Sequence, residues 1–163
     1  MTEAEIEKFL KSLHASEVRF IIIGGMAAIA QGSAYLTADI DFCYCRDKEN
    51  LEKLARAMVP FHPRLRDAPG DLPFKLDSAT LSSGLNFTLS TDFGDVDIFG
   101  EVSGLGAYEQ TLAFAEELDL FGISCRVLTL EGLIRSKQAA GRAKDLRLLP
   151  ELKALQAIRR SQK

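Results

Sequence analysis

Long hydrophobic runs are missing from this sequence of 163 residues, and cysteines are scarce. No apolar run approaches the roughly 18 residues that a membrane-spanning helix requires, so we expect no membrane partner. The N-terminal residues are acidic and amphipathic, which is unlike a secretory signal. The three cysteines, Cys43, Cys45 and Cys125, have neither a disulfide framework nor the spacing of a zinc site. They predict small buried side chains in a protein of the reducing cytoplasm.

The composition predicts a folded protein, because apolar residues make up 47% of the chain and charged residues 26%. The length favours one domain, residues 1–163, in which 1–128 form the core and 129–163 form basic C-terminal helices. Residues 135–163 contain nine Lys and Arg against two acids, a net charge of +7. Few aromatics lie among these charges to stack bases, so nucleic acid is an alternative partner that the sequence does not favour.

The most informative stretch runs from Phe20 to Tyr44. Its first four residues are apolar and predict a buried strand, which Gly24 and Gly25 interrupt before a helix begins over 26–30. A strand that turns through glycines into a helix directs backbone N–H groups at the space above the turn. Such a turn is a ready site for an anion, typically phosphate.

Two carboxylates follow on the next predicted strand, 39–44. Asp39 and Asp41 share one face, because side chains alternate along a strand, and their carboxylates start about 6–7 Å apart. Two like charges this close are costly unless a cation lies between them. Oxygen ligands on a rigid strand suit Mg²⁺, which usually binds a few carboxylates together with substrate phosphates. A phosphate site beside a magnesium site indicates a nucleotide.

A second acidic strand is predicted over 95–99, after a turn. Val96 and Ile98 face the core, which leaves Asp95 and Asp97 on the other face, and either could be a third metal ligand. The alternative to a metal site is that all four aspartates are solvated residues at strand ends. Two acidic strands beneath one glycine turn favour the metal site.

The order of these motifs resembles the nucleotidyltransferases of the DNA polymerase β-like superfamily, and particularly their small bacterial branch. In that branch a glycine pair, a Gly-x-x-x-x-Thr-x-Asp-x-Asp stretch and a lysine on a C-terminal helix recur. The corresponding residues here are Gly24-Gly25, the stretch 32–41 (GSAYLTADID) and Lys137, with Asp95-Val96-Asp97-Ile98 as the separate acidic strand. The likeness extends from about Phe20 to Asp145.

The resemblance implies an α+β fold of two layers, a mixed β-sheet with helices packed on it and a short C-terminal helical tail. It implies a magnesium-dependent enzyme that moves a nucleoside monophosphate from a nucleoside triphosphate to a hydroxyl of a small molecule, an RNA end or a protein, releasing pyrophosphate. Two magnesium ions are expected with the triphosphate bound. The resemblance favours Asp97 over Asp95 as the third acid, so the expected catalytic and metal-binding residues are Asp39, Asp41 and Asp97. The expected nucleotide-binding residues are Gly24, Gly25, Ser33, Thr37, Lys137 and Arg142.

Two positions depart from the family pattern. Gly25 stands where many members have serine, and Tyr35 stands where relatives often carry arginine. The alternatives are therefore a nucleotide-binding module with weak or no turnover, and a protein-interaction module such as part of a toxin–antitoxin system. The C-terminal helical tail is short for an acceptor-binding domain. A second copy of the chain, or a protein partner, is therefore expected to supply the acceptor-binding part.

Residues 60–73 contain four of the five prolines and predict an irregular segment, either a substrate-contacting loop or a surface excursion without a role. Hydrophobic periodicity and capping signals predict the remaining elements. These are helices over 2–13, 47–59, 107–116 and 129–140, strands over 85–89 and 121–127, and a last helix that begins at Pro150.

Overall fold

The structure is a computed structural model and describes residues 1–37 and 39–163. Its helices are α1 (Glu3–Ala15), α2 (Gly24–Ala30), α3 (Lys48–Met58), α4 (Ser78–Ser83), α5 (Tyr108–Thr111), α6 (Leu130–Ala140) and α7 (Ala143–Ser161). Its strands are β1 (Phe20–Ile23), β2 (Ile40–Tyr44), β3 (Arg64–Leu65), β4 (Asn86–Thr91), β5 (Gly94–Phe99), β6 (Glu101–Val102), β7 (Gly106–Ala107), β8 (Ala115–Leu120) and β9 (Ile123–Leu128). Short 3-10 helices cover Val59–Phe61 and Leu112–Phe114.

Seven strands form one mixed sheet in the order β3-β4-β5-β2-β1-β9-β8. The pairs β2–β5 and β1–β9 are parallel, and the other neighbours in this sheet are antiparallel. β6 and β7 pair separately. This architecture confirms the predicted α+β fold with a mixed sheet and packed helices.

Aromatic packing fixes the strand that carries the first acidic motif. Alternation along β2 buries Phe42 on the face opposite to Asp41. The Phe42 ring centroid lies 6.1 Å from that of Phe9 on α1 and 5.7 Å from that of Phe20 on β1. One face of β2 thus packs in the core, and Asp41 lies on the other face, beside the buried Cys43.

Local signals in the first half of the chain are confirmed. Helix α1 begins with a complete capping box, in which Thr2 and Glu5 bond to each other's backbone N–H groups. Asp47 caps the N-terminus of α3. In the proline-rich segment the one regular strand is β3, which lies at the edge of the sheet, where proline-rich sequence is tolerated. The short helix α4 was not predicted.

The helix predicted over 107–116 is wrong in its second half. α5 ends at Thr111, and Ala115 already begins β8. The reason is tertiary, because six residues of β8 pair with β9 and this pairing outweighs the local helical pattern. The last strand begins at Ile123, since Phe121 and Gly122 have φ values of 55° and 80° and form the hairpin turn.

The last helix does not begin at Pro150. It begins at Ala143, where Arg142 and Asp145 form the N-terminal cap, and Pro150 lies inside it on an exposed position. Leu152 is buried, whereas Ile158 is 53% exposed. No described helix is long and apolar enough to cross a membrane.

The three cysteines are free and buried, as predicted. Burial, aided by the negative charge of Glu109, raises the pKa of the Cys43 thiol to about 12. Burial and the charge of Asp119 raise the pKa of Cys125 to about 11. Both thiols are therefore neutral at physiological pH and serve as small core side chains.

Candidate active site

The glycine pair forms the floor of the site. α2 follows β1 without a gap, so the helix begins at Gly24, two residues earlier than predicted. Gly24 has a φ of +64°, and a Cβ there would stand 2.4 Å from Oδ2 of Asp41. A Cβ on Gly25 would stand 2.8 Å from Cε1 of Tyr35 and 2.9 Å from Cβ of Thr37. The absence of side chains at both positions lets neighbouring groups approach the backbone closely.

Three aspartates line the cleft beside the glycine turn. Asp41 of β2 and Asp97 of β5 are direct partners in the parallel register, and Asp39 immediately precedes β2. All three line one polar cleft of about 90 Å³. The parallel pairing of β2 with β5 therefore brings together the two acidic motifs, which are far apart in sequence.

The electrostatic effect of this arrangement is seen in the pKa of Asp41. Burial raises the pKa of its carboxyl group to about 6, and the negative charges of Asp97 and Asp39 add to the rise. Lys137 and Lys144 lower it only in part. An added cation would relieve the repulsion that Asp97 and Asp39 impose on the Asp41 carboxylate.

The basic side of the cleft comes from the two C-terminal helices. Lys137 on α6, Arg142 just before α7 and Lys144 in the first turn of α7 all line the cleft. The Lys137 Nζ lies 3.1 Å from Oδ1 of Asp145, and the Arg142 Nε lies 2.6 Å from Oδ2 of the same carboxylate. Asp145 has no solvent exposure and forms ion pairs with both cations. It orients two cations toward the cleft.

The loop between α2 and β2 divides the remaining predicted residues. Thr37 lines the cleft, and its Oγ1 accepts a hydrogen bond from the Asp39 backbone N–H at 3.3 Å. Ser33 is not among the residues that line the cleft, since its buried hydroxyl donates to Glu151 on α7 at 3.0 Å. Ala38, a variable position of the motif, lies outside the described residues.

The two candidates for the third acid have different surroundings. Asp97 faces the cleft, whereas Asp95 accepts a hydrogen bond from the Ser90 hydroxyl at 3.0 Å and is not among the residues that line it. Arg66, which follows β3, donates to Oδ1 of Asp97 at 2.6 Å. Sequence reasoning missed Arg66 and Glu151. The only signal for Arg66 was its place in the proline-rich segment.

Among the described residues, no three His, Cys, Asp or Glu side chains already form a cluster that could hold a metal ion. A neighbouring cleft of about 130 Å³ shares Asp41, Lys137 and Arg142 with the first one and extends to Asn86 and Phe99. The two clefts are therefore neighbours on the same side of these three residues' elements, β2, α6 and the start of α7.

Comparison with known proteins supports the fold independently of sequence. No family model matches the sequence, and no curated protein matches it. Several solved structures do match. One is a candidate nucleotidyltransferase from Thermotoga maritima, with 17% identity over 91% of this chain and 89% of that one, and a TM-score of 0.59.

Two further matches are an antibiotic adenylyltransferase and an antibiotic-resistance factor. The lincosamide antibiotic adenylyltransferase LnuA, solved with lincomycin, has 13% identity over 95% of this chain and 98% of its own, with a TM-score of 0.58. ANT(2″)-Ia, solved with adenylyl-2″-tobramycin, has 15% identity over 98% and 97%, with a TM-score of 0.55. Each is similar along almost its whole length, and the chain therefore has the fold of nucleotidyltransferases.

Proposed function

We propose that this protein is a magnesium-dependent nucleotidyltransferase, which moves a nucleoside monophosphate from a nucleoside triphosphate to a hydroxyl acceptor and releases pyrophosphate. One observation carries the proposal: Asp41 and Asp97 are register partners on parallel strands, beside Asp39 and above a glycine turn. The cations of α6 and α7 face the same cleft. Carboxylates for a metal and cations for phosphates are what phosphoryl transfer requires.

The triphosphate would lie between the glycine turn and the C-terminal helices. The backbone N–H groups of Gly24 and Gly25 can approach its oxygens, because neither residue has a side chain in the way. Lys137 and Arg142 balance its charge from the other side. The second cleft opens between these cations and Phe99, and we place the nucleoside there.

The donor set fits magnesium. Asp39 and Asp41 offer carboxylate oxygens on one strand end. Burial first, and then the charges of Asp97 and Asp39, raise the pKa of Asp41, and a bound cation would favour its ionised form. When bound, the ion supplies Lewis-acid polarisation of the phosphate and a fixed geometry for the displacement. In this proposal Asp97 accepts the proton of the acceptor hydroxyl, whose oxygen bonds to the α-phosphorus as the bond to pyrophosphate breaks.

A nucleotide-binding module without turnover is the second candidate, and one contact favours it. The Arg66 guanidinium already occupies one oxygen of Asp97, which a reacting hydroxyl would have to share. Tyr35 adds to this reading, because it stands where arginine is often found in the resembling family and packs within 2.8 Å of a Cβ placed on Gly25.

The test is transfer of label from α-³²P nucleoside triphosphates, together with pyrophosphate release, over pools of small molecules, RNA and protein. Two similar solved structures hold antibiotics, so hydroxyl-bearing small molecules come first in the screen. We expect magnesium-dependent transfer by the wild type and none by Asp41→Asn. The matched control is Asp119→Asn, an exposed carboxylate on the edge strand β8.

The outcomes separate the candidate functions. Transfer by Asp41→Asn at the wild-type rate would contradict the proposal. Nucleotide binding without any pyrophosphate release, over the whole acceptor screen, would support the module without turnover. The absence of nucleotide binding would support a protein-interaction role.

A further inference from the structure

Asp97 forms an ion pair with Arg66. The Arg66 Nη2 lies 2.6 Å from Oδ1 of Asp97 and also donates to the carbonyl of Leu89 at 2.8 Å. The side chains of both partners are mostly buried, with exposures of 22% for Arg66 and 21% for Asp97. A hydrogen bond of this length between two charged, mostly buried side chains is strong.

The sheet holds Arg66 in this position. β3 pairs with β4 through Arg64 and Leu65, and the backbone N–H of Arg66 continues this pairing by donating to Thr88 at 3.0 Å. The guanidinium therefore projects from an ordered strand end. Its charge is placed by backbone hydrogen bonds and by Asp97 together.

A second carboxylate flanks the same guanidinium. The Arg66 Nε is buried and makes no hydrogen bond to any described residue, although Oδ2 of Asp95 lies 3.2 Å away. One cation thus lies between two carboxylates of β5. This is the kind of position that a metal ion would otherwise fill.

The charges around the cleft divide into two groups. Asp97 and Asp95 share the fixed charge of Arg66, whereas neither Asp39 nor Asp41 forms an ion pair with a described residue. One divalent cation would balance Asp39 and Asp41. A second ion on Asp97 would have to lie beside the guanidinium, and the two positive charges would repel each other in a partly buried site.

We propose that Arg66 takes the place of a second divalent cation, so that the nucleotide-loaded site holds one ion, on Asp39 and Asp41, while Arg66 keeps Asp97. This inference rests on the proposed function and deepens it. Arg66 is then a positioning residue, which fixes the orientation of Asp97 toward the acceptor. Its planar fork suits this task better than a mobile ammonium group would.

The experiment counts bound Mn²⁺ by electron paramagnetic resonance, with the non-hydrolysable α,β-methylene-ATP at saturation. We expect one Mn²⁺ per wild-type chain and two per chain of Arg66→Met, because this substitution removes the guanidinium from Asp97 and adds no charge. Arg66→Lys keeps the charge and should bind one. Arg64→Met is the matched control: Arg64 lies on β3, two residues before Arg66, but pairs with the exposed Asp92, and we expect one ion.

Two ions in the wild type would overturn the inference and leave the proposed function standing. One ion in both the wild type and a folded Arg66→Met protein would also overturn it. The wild-type count alone decides the first point, even if Arg66→Met does not fold. No bound Mn²⁺ in the wild type would contradict the proposed function itself, and this inference with it.

Discussion

Asp41 and Asp97 lie directly opposite each other on two adjacent parallel strands, and Asp39 precedes Asp41 on the same cleft. The fold itself thus forces like charges together. This repulsion lowers the stability of the ligand-free fold, and a bound cation would remove it. The first prediction follows from that cost.

Asp41→Asn should stabilise the ligand-free protein at pH 8. The pKa of Asp41 is raised from 3.8 to about 6, so its ionised form is disfavoured in the folded state. Sites with a raised carboxyl pKa contribute stability below the unfolded-state pKa and lose it as pH rises through the folded-state pKa. We expect a gain of about 1–3 kcal/mol in the free energy of unfolding at pH 8, shrinking toward zero near pH 4. Urea unfolding at both pH values measures it.

The exposed Asp119 provides the control for that comparison. Asp119→Asn should change the free energy of unfolding by less than about 0.5 kcal/mol at either pH. A stability difference for Asp41→Asn that does not change between pH 4 and pH 8 would show that the burial and repulsion at Asp41 are not what the variant removes.

Gly24→Ala should be strongly destabilising. The residue has a φ of +64°, and the new Cβ would stand 2.4 Å from the Asp41 carboxylate. We expect a loss of about 2–4 kcal/mol from left-handed strain and the steric contact together. Gly70→Ala is the matched control, because its Cβ would meet nothing within 4 Å. Equal unfolding midpoints of the two variants in urea would contradict the close approach of Asp41 to the glycine turn.

Asp145→Asn tests the ion cluster at the C-terminal helices. The unexposed carboxylate binds Lys137 and Arg142, and hydrogen bonds from Arg142 and Lys137 outweigh burial and lower the pKa of Asp145. Removing its charge should cost about 1–3 kcal/mol and weaken nucleotide binding, because both cations lose their anchor. Glu131→Gln breaks an exposed pair with Arg135 and should change stability by less than about 0.5 kcal/mol.

The measurement for Asp145 combines thermal unfolding with ATP titration. Its carboxylate should be ionised at neutral pH, so the effect should be present at pH 7. An Asp145→Asn protein with wild-type stability and wild-type nucleotide affinity would rule out the anchoring role.

Glu151→Ala should loosen the loop that carries Thr37. The Glu151 carboxylate accepts hydrogen bonds from the Ser33 hydroxyl at 3.0 Å and from the Ala34 backbone N–H at 2.8 Å. Their loss should cost about 1–2 kcal/mol in unfolding free energy and should weaken nucleotide binding, since the loop borders the cleft. Lys153→Ala, an exposed change on the same helix, is the control. Unchanged hydrogen exchange in residues 33–37 of the Glu151 variant would contradict this role.

The sequence was sufficient for the centre of the fold. β1, the glycine turn and β2 were predicted because each has a strong local signal, namely an apolar run, a glycine pair and alternating acids. The capping box at Thr2 was predicted for the same reason. The resemblance favours Asp97 over Asp95 as the third acid, which stays a prediction, and the structure adds the direct register of Asp97 with Asp41.

The parts that were missed depend on contacts between distant segments. Arg66 reaches Asp97 only because β3, β4 and β5 pair in sequence, and no local pattern encodes that reach. The departures at Gly25 and Tyr35 looked independent in the sequence. In the structure they are one packing arrangement, since a side chain on Gly25 would collide with Tyr35 and with Thr37.

The most direct measurement of the metal-dependent nucleotide site is calorimetric titration of the protein with ATP and with GTP, in the presence and absence of Mg²⁺. We expect the wild type to bind a nucleotide only with Mg²⁺, and we expect this binding to disappear in Asp41→Asn while Asp119→Asn retains it. Binding of equal strength with and without Mg²⁺, or the same affinity in Asp41→Asn, would contradict the site that the two acidic strands form.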